Sequence, residues 1–89
     1  MTQQMTQQMT IEQAVTKFHW CCQAIVQHKD EKSLNYAVHY ASRGLSLERP
    51  YFVSSQIPYI LCNMTHWRSD LATKVRRYLK EVLDVLKEY

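Results

Sequence analysis

SDLATKVRRYLKEVLDVLKEY, residues 69–89, decides the fold class. Leu71, Val75, Tyr78, Val82, Val85 and Tyr89 recur in alternating steps of four and three, the spacing of a heptad seam on an α-helix. Leu79, Leu83 and Leu86 widen the seam into an apolar arc of roughly 160°, more than one neighbouring helix needs. Such a helix is either central to its bundle or also faces a second subunit. Ser69 and Asp70 read as an N-cap at its start, which places a break or bend near Trp67.

The same periodicity recurs upstream. Thr10 and Gln13 make a capping-box pattern, and Ile11, Ala14, Val15, Phe18, Cys22, Ile25 and Val26 then share one helical face as far as His28. Lys29–Lys32 is a polar turn, after which Asp30 or Ser33 caps a second helix whose narrow face is Leu34, Ala37, Val38 and Ala41. Gly44 stands where a left-handed helix-ending glycine belongs, with Leu45 folding back as its contact. Residues 45–54 are irregular. A third helix is expected from Ser54 or Ser55, with Pro58 in its first turn and Ile57, Ile60, Leu61 and Met64 as its stripe. The fold expected is all-α, a small bundle of three or four amphipathic helices over residues 10–89, behind a disordered polar tail at residues 1–9 built on two copies of MTQQ.

Composition agrees. The chain has 89 residues, room for one domain, of which roughly 80 must supply a core that yields only a few kcal/mol. A hydrophobic fraction of 46% is too high for a disordered protein, and one glycine with two prolines is too few for a turn-rich β-fold. No apolar run is long enough to span a membrane, and the N-terminus has neither the basic start nor the apolar stretch of a signal peptide. Three cysteines, two of them vicinal, make no disulfide framework, so a soluble cytoplasmic protein is expected.

Aromatics opposite the core stripes are the main functional signal. Trp20 points away from Ile11, in company with Gln13, Lys17, Ala24 and Gln27. Tyr36 and Tyr40 lie one turn apart on the back of the second helix near Arg43, and Tyr59 and His66 occupy the back of the third. Tryptophan, tyrosine and arginine most often supply binding energy at interfaces, so these six residues are the candidate surface for a protein partner or a second copy. The plainer alternative is that a small domain leaves some aromatics half exposed.

Nucleic acid is the rival partner. Arg68, Lys74, Arg76, Arg77 and Lys80 cluster around the start of the last helix, within a modest net charge of +3. A helix-turn-helix would need a shorter turn than the ten or so residues, Pro50 among them, between the second and third helices.

Enzymatic chemistry finds little support. His19 and Cys22, and Cys62 and His66, have spacings that could give a Cys2His2 zinc site. Cys22 falls on a core stripe while Cys62 and His66 point away from theirs, so no metal site is expected. No pattern sets His19, His28, His39 or His66 as a base beside a cysteine, and one glycine cannot build a phosphate loop. The expectation is a non-enzymatic accessory or regulatory protein, of the kind phages and mobile elements also encode, with no cofactor and no small-molecule substrate.

Overall fold

The computed structural model describes residues 9–87. Four α-helices account for most of them: α1 (Ile11–Gln27), α2 (Asn35–Gly44), α3 (Pro50–Cys62) and α4 (Asp70–Leu86). Each helix packs beside the next and α4 closes back on α1, so the four stand as the corners of a square with α3 diagonal to α1. Lys17 meeting Glu81 and Cys21 meeting Val75 show that α1 and α4 run antiparallel. No strand occurs among the described residues, nor any helix long and apolar enough to cross a membrane. The tail expected at residues 1–9 lies outside the described residues except for Met9, which packs against the core. Tyr89, expected on the last seam, also lies outside them.

Helix α1 begins as its sequence dictates. The Thr10 hydroxyl accepts from the Gln13 amide at 3.1 Å, and the Gln13 side chain accepts from the Thr10 amide at 3.0 Å, satisfying two N–H groups that no helical carbonyl can reach. Its buried face is wider than the periodicity implied, with Cys21 and Ala24 joining Ala14, Phe18, Cys22 and Ile25. The reason is that α1 borders both α2 and α4, so residues between two stripes are covered from both sides. Ala24, expected beside Trp20 on the outside, is therefore core.

Three local expectations fail for identifiable reasons. Neither Asp30 nor Ser33 caps α2: a 3-10 turn at Lys32–Leu34 leads into it, and the Ser33 hydroxyl instead donates to the Glu31 carboxylate at 3.0 Å. Gly44 is not a left-handed cap, since no described residue has a positive φ. It is the last residue of α2, and a Cβ there would sit 2.7 Å from Cys22 Sγ and 2.8 Å from Phe18 Cζ. Glycine is required because two helices touch at that point. The third helix starts not at Ser54 but at Pro50, whose fixed φ and missing N–H suit the first helical position. Pro58 is consequently interior, on the exposed side.

The break before the last helix is as expected, with the Ser69 hydroxyl accepting from the Ala72 amide at 3.0 Å. The connection is not loose. Met64 and Trp67 are buried, the His28 ring lies 5.6 Å from the Trp67 ring, and Arg76 donates to the carbonyls of Met64 and Trp67 at 3.2 and 2.9 Å. The fully buried seam of α4 is Ala72, Val75, Leu79, Val82 and Leu86, turned by about 60° from the expected one at 3.6 residues per turn. Leu71, Tyr78 and Val85 are only half-buried, and so is Leu83. Two neighbours, α1 and α3, account for the broad apolar arc.

Candidate functional site

The bundle has two aromatic edges, one over the α2–α3 seam and the other over the α1–α4 seam on the opposite side of the square. On the first, α3 is thirteen residues without a single Asp, Glu, Lys or Arg. Its outward side presents Tyr51, Phe52, Ser55, Pro58, Tyr59 and Cys62, all exposed. Tyr51 and Phe52 meet edge to face, with centroids 5.6 Å apart. Tyr59 stacks nearly parallel on Tyr40 at 5.4 Å, and the Gln56 amide donates to the Tyr40 carbonyl at 2.9 Å, which sets the two helices in register. Tyr36, one turn before Tyr40, is the most open of the rings at 71% exposure, against 64% for Tyr51, 55% for Tyr59 and 49% for Phe52. Arg43 and His66 are exposed, Arg43 near the end of α2 and His66 in the α3–α4 connection.

On the second edge Trp20 is 41% exposed and leans on Tyr78, with ring centroids 5.4 Å apart. Three cations surround that pair. Lys17 Nζ stands 4.2 Å above the Tyr78 ring and 3.1 Å from a Glu81 carboxylate oxygen. Lys74 lies 5.5 Å from the Trp20 ring and 5.7 Å from that of Tyr78, and the Arg77 guanidinium lies 5.6 Å from Tyr78. Ring faces carry partial negative charge and attract cations at these distances. An open groove of about 560 Å³ runs beside the pair, with Glu12, Gln13 and Thr16 on its α1 wall.

The residues grouped on the sequence are thus divided in space. Tyr36, Tyr40 and Tyr59 share the α2–α3 edge, whereas Trp20 stands on the other with Lys74 and Arg77 from the basic set. Arg76 does not join that set, because its guanidinium holds the α3–α4 connection. Arg68, Arg77 and Lys80 are exposed but do not line the groove, although Arg77 borders it beside Tyr78. Tyr51 and Phe52 fall before the helix start expected at Ser54 or Ser55 and so outside the candidate set; Arg49-Pro50, an extended residue followed by a first-turn proline, is the sequence signal that includes them.

The thiols and imidazoles stand apart. Burial pushes the Cys21 and Cys22 thiols up to about 12, which keeps both protonated and poorly nucleophilic at neutral pH. The Cys21 thiol points at the Val75 carbonyl, 3.8 Å away. His19 Nε2 lies 2.7 Å from the Leu47 carbonyl and His28 Nδ1 lies 2.8 Å from that of Ala24, so each ring donates to backbone. Cys22 is in the core while Cys62 and His66 are exposed, so the Cys2His2 set does not converge. Among the described residues no three His, Cys, Asp or Glu side chains gather closely enough to hold a metal ion.

Fold and surface together define a small four-helix bundle with two aromatic edges, one along an uncharged helix and one ringed by cations. The chain matches no family model, and no curated protein and no solved structure is significantly similar to it.

Proposed function

We propose that this chain is a small helical interaction module that acts by docking a protein, a partner or a second copy of itself, against the α2–α3 edge. The observation that carries this reading is the charge-free outer face of α3, with Tyr51, Phe52 and Tyr59 open to solvent and Tyr36 exposed on the adjoining helix. At roughly 200 Å² per aromatic side chain, these four rings leave on the order of 500 Å² uncovered. That is more than half of the roughly 800 Å² each partner contributes to a stable interface, and it is near the upper end for the largest patch on a monomer. Tyrosine suits this role because its ring buries apolar area while its hydroxyl finds a polar partner. Arg43 and His66 would lie at the rim and add charge-assisted contacts.

The test is solution mass by light scattering over a range of protein and salt concentrations, with the double variant Phe52→Ser, Tyr59→Ser beside the natural chain. Self-association predicts a mass above 10.6 kDa that falls to the monomer value in the double variant. If the natural chain is monomeric, affinity capture should retain a protein that the double variant loses at unchanged helicity. Monomers throughout, with identical capture by both chains, would remove the reading.

A further inference from the structure

We infer that the α1–α4 groove binds single-stranded nucleic acid, with Trp20 as the stacking surface for an unpaired base and Lys74 and Arg77 as the phosphate contacts. This goes beyond protein docking at the α2–α3 edge and does not depend on it.

A nucleotide asks for two things at once: a flat π-face for its base and a cation close by for its phosphate. The groove supplies both on one side of the molecule. Trp20 is half open and is kept upright by Tyr78 beneath it. Lys74 and Arg77 are exposed on α4, three residues apart and therefore on neighbouring turns of one face, both within 6 Å of the Tyr78 ring. Lys74, 5.5 Å from the Trp20 ring, is the group a base would displace; on its flexible stem the ammonium then stays beside the base, where the phosphate lies. Lys17 contributes less charge, because Glu81 already neutralises it.

Two other polyanions fit less well. A duplex hides its base faces inside the stack, so Trp20 would have nothing to stack on. An acidic peptide would use the cations but leave the exposed indole idle. Chain continuity favours a strand as well, since the groove is open along its length and does not close around a small molecule.

The experiment is fluorescence anisotropy of a labelled oligothymidylate of roughly fifteen nucleotides, a length that spans one such site, titrated with the full chain at low and at moderate salt. Binding is expected to weaken about tenfold or more for Trp20→Ala and to be largely kept in Trp20→Phe, since either aromatic ring offers a base a stacking face. Lys74→Gln with Arg77→Gln should weaken binding and flatten its salt dependence by about 0.7 per lost phosphate contact. Lys29→Gln with Lys32→Gln, an equal loss of charge on the turn before α2, should change little. Circular dichroism checks each variant, and Trp20→Phe with the Lys74 and Arg77 pair carries the test if Trp20→Ala is destabilised. No binding at low salt would overturn the inference. So would equal affinity in Trp20→Ala and Trp20→Phe in folded protein, or competition by a blunt-ended duplex or polyglutamate at equal charge concentration.

Discussion

The two edges of this bundle hold similar rings in opposite settings. At the α2–α3 edge Tyr40 and Tyr59 stack on each other, and the helix that carries Tyr59 has no charge along its whole length. At the α1–α4 edge Trp20 and Tyr78 pair just as closely, but Lys17, Lys74 and Arg77 crowd around them. An exposed aromatic therefore says little by itself about what it meets. The difference lies in what flanks the rings: α3 offers serine, glutamine and proline, whereas α1 offers Lys17 and α4 offers Lys74 and Arg77.

Both edges depend on the bundle being closed, and the largest expected effect comes from prising it apart where α1 touches α2. Gly44→Val puts at least three carbons where a single Cβ already falls 2.7 Å from Cys22 Sγ. A loss of about 3 kcal/mol or more in urea unfolding is expected, at the upper end for overpacking, and both edges should fail together. A near-neutral Gly44→Val would mean that the contact is looser than its geometry. Next comes Arg76→Ala. Releasing the Met64 and Trp67 carbonyls should cost about 2 kcal/mol, while Arg77→Ala, at an exposed position, should leave the melting temperature nearly unchanged. Equal effects from the two arginines would erase the distinction between the one that braces the fold and the one that stands beside Tyr78 at the groove's edge.

A smaller effect comes with alkaline pH. The Cys21 and Cys22 thiols are held near 12 by burial, against 9.0 when exposed. The folded state therefore keeps protons that the unfolded state gives up, so their contribution is fully present below pH 9 and is lost as pH rises towards 12. A Cys21→Ala, Cys22→Ala chain should lose less stability than the natural one between those limits. In the native protein at neutral pH a thiol reagent should modify Cys62 quickly and the other two only on unfolding. The smallest effect is expected for Glu81→Gln. Its partly exposed pair with Lys17 contributes at most about 1 kcal/mol, screened further by salt. Freeing Lys17 should nevertheless strengthen oligonucleotide binding slightly, which separates the electrostatics of the groove from its stability.

Local chemistry was legible in the sequence and tertiary adjacency was not. Thr10 with Gln13, and Ser69 before Ala72, start their helices as written, because a cap bonds within its own first turn. The break at Trp67 followed from the same signal. Gly44 misled because a glycine ending a helix and a glycine admitting a neighbour look alike until the neighbour, Phe18, is known. The seam of α4 was misplaced because its leucines and valines fill more than half the wheel, and only the positions of α1 and α3 choose among them. Tyr36 and Trp20 are exposed as their wheel positions imply, whereas Tyr40 is half-buried against the core because Tyr59 of α3 stacks on it. Nothing along the chain could show that Trp20 would meet Lys74 while the tyrosines met an uncharged helix.

The way α4 closes on α1 also orders the assembly of the two surfaces. The α2–α3 register is set by Gln56 and Tyr40, 16 positions apart, whereas Lys17 and Glu81 are 64 positions apart. Short loops close at lower entropic cost than long ones, so the neutral edge belongs to a hairpin that can form early and locally. The cationic groove exists only once the two ends of the bundle have found each other. A chain whose last helix detaches would keep its tyrosine stack and lose its groove, making the groove a readout of whether the fold is complete.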